Sequence, residues 1–451
     1  MKTTFTPGRI DIISMGCSKN LVDSERLLRR LEAKGYRAEH NPETPTGEYV
    51  VVNTCGFIAD AKQESIDMIL ELGEAKERGE IGNICVMGCL SQRYLELLPQ
   101  EMPEVDRWYG KFDWQDFIDT LPDRSCTESR GSDNERSGKQ EGETPKSWDR
   151  TLTTPPWSAF LKISEGCDRF CAFCAIPLIT GRHTSRPMEE IEEEVKELVG
   201  RGVKEFNVIA QDLSDYGLDL YKRHALPELI EHIADIPGVE WIRLHYAYPA
   251  RFPKDLLRVM RERDNVCKYL DIALQHISDR VLTNMRRHIT AAETEALLDE
   301  MRREVPGLKL RTTLMVGFPG EEDEDFRLLL DFVKRQKFDR MGAFSYCEEE
   351  DTWAAQHLSD DIPEEVKQLR LDKLMALQQD IALELNEKMV GETIKVLIER
   401  HEGADAIGRT QWDSPEVDPE VIVKDCDAEP GSFVSVKITE ALPFELIGRL
   451  A

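Results

Sequence analysis

No stretch of the 451 residues approaches the roughly 18–20 consecutive apolar residues that a bilayer-spanning helix needs, which excludes a helical membrane protein. The opening Met1-Lys2-Thr3-Thr4-Phe5-Thr6-Pro7 lacks the apolar core of a secretory signal, so a cytoplasmic and therefore reducing location is expected. Positive charge is scarce as well. Lys and Arg number 58 against 86 Asp and Glu, and the resulting net charge of −28 opposes a phosphate backbone. A nucleic-acid binder of this composition would need a local basic patch. Between about Asp123 and Asp149 apolar residues almost vanish, leaving little to offset the entropy of ordering, and the segment reads as a polar linker.

What the chain does have is length and thiols. A chain of 451 residues exceeds the roughly 250–300 at which a single core stops growing, so several domains are expected. The 11 cysteines are odd in number, and in a reducing compartment clustered thiols are metal ligands or catalysts more often than disulfides.

Short apolar runs alternate with helical patterns from the start. Ile10–Met15, Tyr49–Asn53 and Asn83–Met87 read as strands, with helices over Asp23 to Lys34 and about Asp60 to Glu77, an α/β domain with a parallel sheet. Beyond Ser158 six more strands are predicted, Phe160–Ile163, Glu205–Ala210, Trp241–His245, Tyr269–Leu274, Lys309–Val316 and Met341–Tyr346. Helical stretches separate them, and six βα units in series predict a full or partial barrel. A long helix from Pro363 to Met389 follows. Then Thr393–Ile398, Glu420–Val423 and Phe433–Ile438 predict a small all-β module.

The sharpest motif is Gly166-Cys167-Asp168-Arg169-Phe170-Cys171-Ala172-Phe173-Cys174, just after the first barrel strand, where such folds place their chemistry. Three thiolates at this spacing can ligate three irons of a 4Fe–4S cube and leave the fourth iron open. An open iron can chelate the amino and carboxylate groups of S-adenosylmethionine, and one electron then breaks its carbon–sulfur bond to give a 5′-deoxyadenosyl radical. Phe173 is placed to pack on the adenine. Zinc fits less well, since it wants four Cys or His ligands in two close pairs, and His183 stands too far along. The triplet in this context resembles the radical S-adenosylmethionine superfamily, which implies cluster-ligating roles for Cys167, Cys171 and Cys174.

Cys17, Cys55 and Cys89 are far apart, yet each follows directly on an apolar run of the first domain, beside a glycine. In a parallel sheet those carboxyl ends lie on one edge, so the three thiols can converge on a second 4Fe–4S cluster. Cys85, Cys267, Cys347 and Cys426 are read as packing cysteines and Cys126 as an incidental thiol of the linker. Two clusters and a β tail resemble the methylthiotransferases. The stretches that carry the likeness are Gly16 to Glu25, Asn53-Thr54-Cys55, Met87-Gly88-Cys89, Ser185-Arg186-Pro187, Gln275-His276 and Val316 to Glu321.

The resemblance implies an N-terminal methylthiotransferase domain over 7–122, a linker or insertion over 123–150, a radical core over 151–385 with a partial (β/α)6 barrel, and a small all-β TRAM barrel over 386–451. It also implies that the second cluster carries the sulfur to be inserted and that S-adenosylmethionine serves as both radical source and methyl donor. Ile163 to Cys167, Ala210 to Leu220 and Arg243 to Pro249 resemble the branch that methylthiolates the β-carbon of an aspartate in ribosomal protein S-twelve. The alternatives are a tRNA adenosine methylthiotransferase and a non-enzymatic iron–sulfur electron carrier.

From Asn386 onward acidic residues outnumber basic ones, which suits a basic ribosomal protein better than tRNA. An electron donor and a sulfur donor are further expected partners. Arg311, Gln275 and His276 lie at strand positions that could line the cofactor pocket, and they read equally as structural. The turn at Gly317–Gly320 lacks the Lys-Ser/Thr of a phosphate loop.

Overall fold

A computed structural model describes residues 4–124 and 145–451. Cys126 and most of the predicted linker lie outside the described residues. The chain divides into two compact units, Met1–Thr153 with Ala175–Gly181, and Thr154–Cys174 with Arg182–Ala451.

The first unit is built on a parallel five-stranded sheet in the order Arg37–His40, Thr6–Ser14, Gly47–Thr54, Asn83–Gly88, Arg107–Trp108. Successive strand side chains point to opposite faces, so both faces of a covered parallel sheet must be apolar. Ile10, Ile12, Val51, Cys85 and Met87 pack on one face with Leu27, Leu28 and Leu31 of the helix Ser18–Ala33 and Phe117 of Trp114–Thr120. Ile13, Val50, Val52, Ile84 and Val86 pack on the other, with Ile69 and Leu72 of Ala59–Glu77.

The described end of the predicted linker is anchored. Trp148 is buried, and the Arg150 guanidinium donates to Glu25 at 2.8 Å with both side chains 1% exposed.

In the second unit six parallel strands follow one another in chain order, Ser158–Lys162, Glu205–Ile209, Trp241–Ala247, Val266–Gln275, Lys309–Val316 and Arg340–Ser345, which is the partial (β/α)6 barrel. All six predicted strands are present. Between the fourth and fifth, Thr290 accepts from the Glu293 N–H while the Glu293 carboxylate caps Thr290 in return, which starts the helix Ala291–Glu304.

The C-terminal module is a closed barrel of Thr393–Glu402, Asp405–Thr410, Glu420–Val423, Glu445–Leu450 and Phe433–Leu442 around Ile394, Val396, Ile398, Val421, Val423 and Val436. Two of its strands, Asp405–Thr410 and Glu445–Leu450, were not foreseen. Closure leaves it no exposed sheet edge. Among the described residues no helix is long and apolar enough to cross a membrane.

A buried ionic network joins this module to the amino-terminal end of the six-stranded sheet. Glu205 receives Arg243 at 2.9 Å and Arg409 at 2.7 Å, and Arg409 also reaches Glu399 at 2.8 Å. Arg340 pairs with Asp413 at 2.7 Å, and Asp418 holds Arg311 at 3.2 Å and the Tyr269 hydroxyl at 2.8 Å. Arg311 therefore serves this joint, not a cofactor pocket. The charge reading of the tail changes too, because Glu399, Asp413 and Asp418 neutralise barrel arginines and are not offered to a partner.

Candidate functional site

Three neighbouring strands of the first sheet deliver Cys17, Cys55 and Cys89. The register sets Ser14 beside Asn53 and Thr54 beside Gly88, so the chain leaves all three strands at one level. Cys17 caps the helix Ser18–Ala33 and Cys89 opens the short helix Cys89–Arg93. The loops touch through their glycines. A methyl on Gly16 would lie 2.8 Å from the Cys55 Sγ, and one on Gly56 would lie 2.7 Å from the Leu90 Cα and 2.8 Å from the Cys89 carbonyl carbon. The second collision is with main chain, which cannot swing aside. Gly56→Ala is therefore expected to force the Cys55 and Cys89 loops apart while the sheet still folds, as read by the reactivity of these thiols against the far-ultraviolet spectrum.

Burial works against ionising Cys17, but Lys19, the Asn20 N–H at the start of its helix and Lys111 outweigh it and lower the thiol below its ordinary value. Burial raises Cys55, with Cys17 adding to the rise and backbone N–H groups and Lys111 opposing it. Lys111 went unnoticed in the sequence. Its Nζ stands 3.3 Å from Asn20 Oδ1 and 3.3 Å from Asp23 Oδ2.

In the second unit the triplet loop turns through Gly166 at φ +81° and Phe170 at φ +47°. The Ala172 N–H donates to the Met285 carbonyl at 2.9 Å and its carbonyl accepts from the Ala354 N–H at 2.8 Å, which pins the loop between its second and third cysteines. The Cys174 N–H closes onto the Cys171 carbonyl at 3.1 Å.

Burial pushes the Cys167 thiol up to about 12, with Asp212 and Cys171 adding to the rise, so a neighbouring cation such as iron is needed to hold it as thiolate at neutral pH. Arg287 donates to the Cys171 Sγ at 3.3 Å. The guanidiniums of Arg287 and Arg169 both stand over the Tyr248 ring, 4.1 and 4.3 Å from its centre, and its hydroxyl is 3.8 Å from that sulfur. Arg169 is fixed by Asp212 at 2.6 Å and Asp215 at 2.7 Å. Neither arginine nor the tyrosine was singled out in the sequence, because only tertiary contacts give them this place.

Among the described residues no three His, Cys, Asp or Glu gather as ligands of one ion. A cube takes each thiolate on a different iron, so its ligands stand further apart than those of a single ion. The donor sets are soft thiols in two groups of three, the chemistry that iron–sulfur clusters take. Buried polar atoms are hydrogen-bonded as a rule, yet Ser164 Oγ, Gln211 Oε1 and Gln275 Oε1, just beyond or at the carboxyl ends of core strands, make no hydrogen bond. A ligand as polar as S-adenosylmethionine fits there. Phe173 is half-buried and packs edge-on to Phe318 at 6.3 Å.

Other expectations sort differently. Cys85, Cys267 and Cys426 are buried as predicted, but Cys347 is exposed, since its strand has ended at Ser345. His183 is buried against Ser185 at 3.2 Å. His276 is fully buried 3.7 Å from Glu321, whose carboxylate accepts the Gly317 N–H at 2.7 Å and Arg370 at 3.0 Å. The glycine turn is thus held from inside by its own glutamate.

The chain matches the radical SAM superfamily over residues 161–333, the uncharacterized protein family UPF0004 over 9–110 and a TRAM domain over 390–451. The superfamily match carries with it an iron–sulfur cluster and S-adenosylmethionine. Among solved structures, a radical S-adenosylmethionine methyltransferase from Kitasatospora setae, TsrM, with cobalamin and a [4Fe-4S] cluster bound, shares the fold at a TM-score of 0.55 and 14% identity. That match covers 91% of this chain and 82% of that one.

Ribosomal protein uS12 methylthiotransferase RimO of Parabacteroides distasonis is 59% identical, covering 98% of this chain and 99% of the relative. The proteins of the same name from Phocaeicola vulgatus and Flavobacterium johnsoniae are 60% and 46% identical, each over 98% of this chain and 99% and 98% of theirs. With two cysteine triplets at strand ends, three family segments in order and this identity over nearly its whole length, the chain belongs to the RimO family of radical SAM methylthiotransferases.

Proposed function

We propose that this chain adds a methylthio group to the β-carbon of an aspartate in ribosomal protein uS12. The reading rests on one observation, that two sets of three thiols occur in two separate units, each at the carboxyl ends of parallel strands. Residues 7–122 form the sulfur-inserting domain, 151–385 the radical core and 386–451 the TRAM module.

Cys167, Cys171 and Cys174 would hold a 4Fe–4S cluster, which when bound would supply one-electron cleavage of S-adenosylmethionine. Cys17, Cys55 and Cys89 would hold a second cluster, which would supply the sulfur. The protein's own work is positional. Arg287 and Tyr248 fix the Cys171 sulfur, Phe173 offers its face to the adenine, and Ser164, Gln211 and Gln275 offer polar atoms to the methionine end. Thiols kept reduced as cluster ligands suit the reducing cytoplasm. A dedicated electron donor and a sulfur donor complete the cycle.

Mass spectrometry of uS12 peptides and of digested tRNA, from cells with and without the gene, tests the substrate. The mass of one methylthio group on a uS12 aspartate, absent from the deletion strain, is the expected result. Loss of a methylthio mark from tRNA with uS12 unchanged would overturn it in favour of the tRNA branch.

A further inference from the structure

Lys111 is 6% exposed, on the loop between the strand Arg107–Trp108 and the helix Trp114–Thr120. Its main-chain N–H is tied to Gln92 at 2.9 Å, and its ammonium is held by Asn20 and Asp23, each at 3.3 Å. Asn20 is the hub of the three thiol loops. Its amide nitrogen donates to the carbonyls of Met15 and Thr54, each at 3.0 Å, just ahead of Cys17 and Cys55. Its Oδ1 accepts from the Cys89 thiol at 3.7 Å. Asn20 is itself locked, since its carbonyl accepts from the Asn53 side chain at 3.0 Å. One amide side chain therefore meets the Lys111 ammonium and the loops of all three cysteines.

Burying an ammonium is costly unless anions stand close by. Asp23 supplies one negative charge. Cys17, Cys55 and Cys89 supply more once they bind iron as thiolates.

We propose that Lys111 is the positioning cation of the strand-end thiols, held beside them by Asn20, where its charge offsets theirs and sets how readily the cluster they hold accepts an electron. The proposal rests on the reading that these thiols hold a cluster. A buried positive charge favours the more negative, reduced state, so its removal lowers the potential. Lys111→Met keeps the length of the side chain and removes the charge, whereas Lys111→Arg keeps the charge.

The test uses the full chain with Cys167, Cys171 and Cys174 replaced by alanine, so that only the strand-end set remains. This parent and its two Lys111 variants are reconstituted anaerobically with ferrous iron and sulfide. Iron content and electron paramagnetic resonance at poised potentials are then measured. Lys111→Met is expected to keep iron and to show a roughly tenfold lower ratio of reduced to oxidised cluster at a given potential, a shift of about 59 mV for one electron. Lys111→Arg should restore the parent value. Loss of iron from the Met variant alone would carry the same meaning. An unchanged potential in the Met variant, or equal iron loss in both variants, overturns the proposal. A parent that binds no iron overturns instead the reading on which it rests.

Discussion

Replacing Cys17, Cys55 and Cys89 together by alanine is expected to abolish methylthiolation of uS12 while 5′-deoxyadenosine is still formed from S-adenosylmethionine. The two outcomes separate because the two thiol sets grow from different sheets. The strand-end set depends on Thr6–Ser14, Gly47–Thr54 and Asn83–Gly88. The triplet depends on the loop after Ser158–Lys162, pinned by Met285 and Ala354 within its own unit. Loss of all three ligands should exceed the roughly 10–100-fold cost of an outer-shell change and take thiolation below detection. Replacing Cys167, Cys171 and Cys174 should instead remove both activities, since no radical is made. Liquid chromatography of 5′-deoxyadenosine beside peptide mass spectrometry reads both, and thiolation that survives the first replacement would refute the division of labour.

Glu205→Ala is expected to destabilise the chain by about 3–5 kcal/mol, the usual cost of removing one member of a buried ion pair. Glu205 is fully buried and is shared by Arg243 and Arg409, so its loss leaves two guanidiniums uncompensated at the joint between sheet and C-terminal barrel. Burial opposes the Glu205 charge, yet Arg409 and Arg243 overcome it and hold the carboxyl far below its ordinary 4.5. A folded pKa lying below the unfolded one contributes stability that is complete above 4.5 and fades as pH falls through the folded value. Urea melts across the acid range should therefore show a steeper loss of stability in the parent than in Glu205→Ala. An unchanged midpoint at neutral pH in the variant would show that the network holds nothing together.

What could be seen in the sequence was whatever is written locally. The Cys167, Cys171 and Cys174 spacing lies within eight positions, and six apolar runs marked the core strands because a covered parallel sheet is apolar on both faces. The strand-end cysteines were legible one step further on, through the rule that parallel strands present their carboxyl ends together.

Short polar strands were not legible. Arg37–His40 carries almost no apolar signal, and Asp405–Thr410 becomes a strand only because the barrel closes around it. Ionic partners far apart in the chain were invisible as well. Arg409 and Glu205 are 204 positions apart, and Lys111 and Asn20 are 91 apart. No local pattern marks such pairs. For the same reason the acidity of the tail was read as surface charge, when part of it is buried against the barrel arginines.

Each cysteine triplet is proposed to hold its own cluster. Iron and sulfide content, with Mössbauer spectra, of anaerobically purified protein tests it most directly, in the parent and with each triplet removed in turn. The expected result is two sets of 4Fe–4S signals in the parent, half the iron lost on removing either triplet, and none left when both are gone. Iron content that stays unchanged after removal of Cys17, Cys55 and Cys89 would contradict the claim.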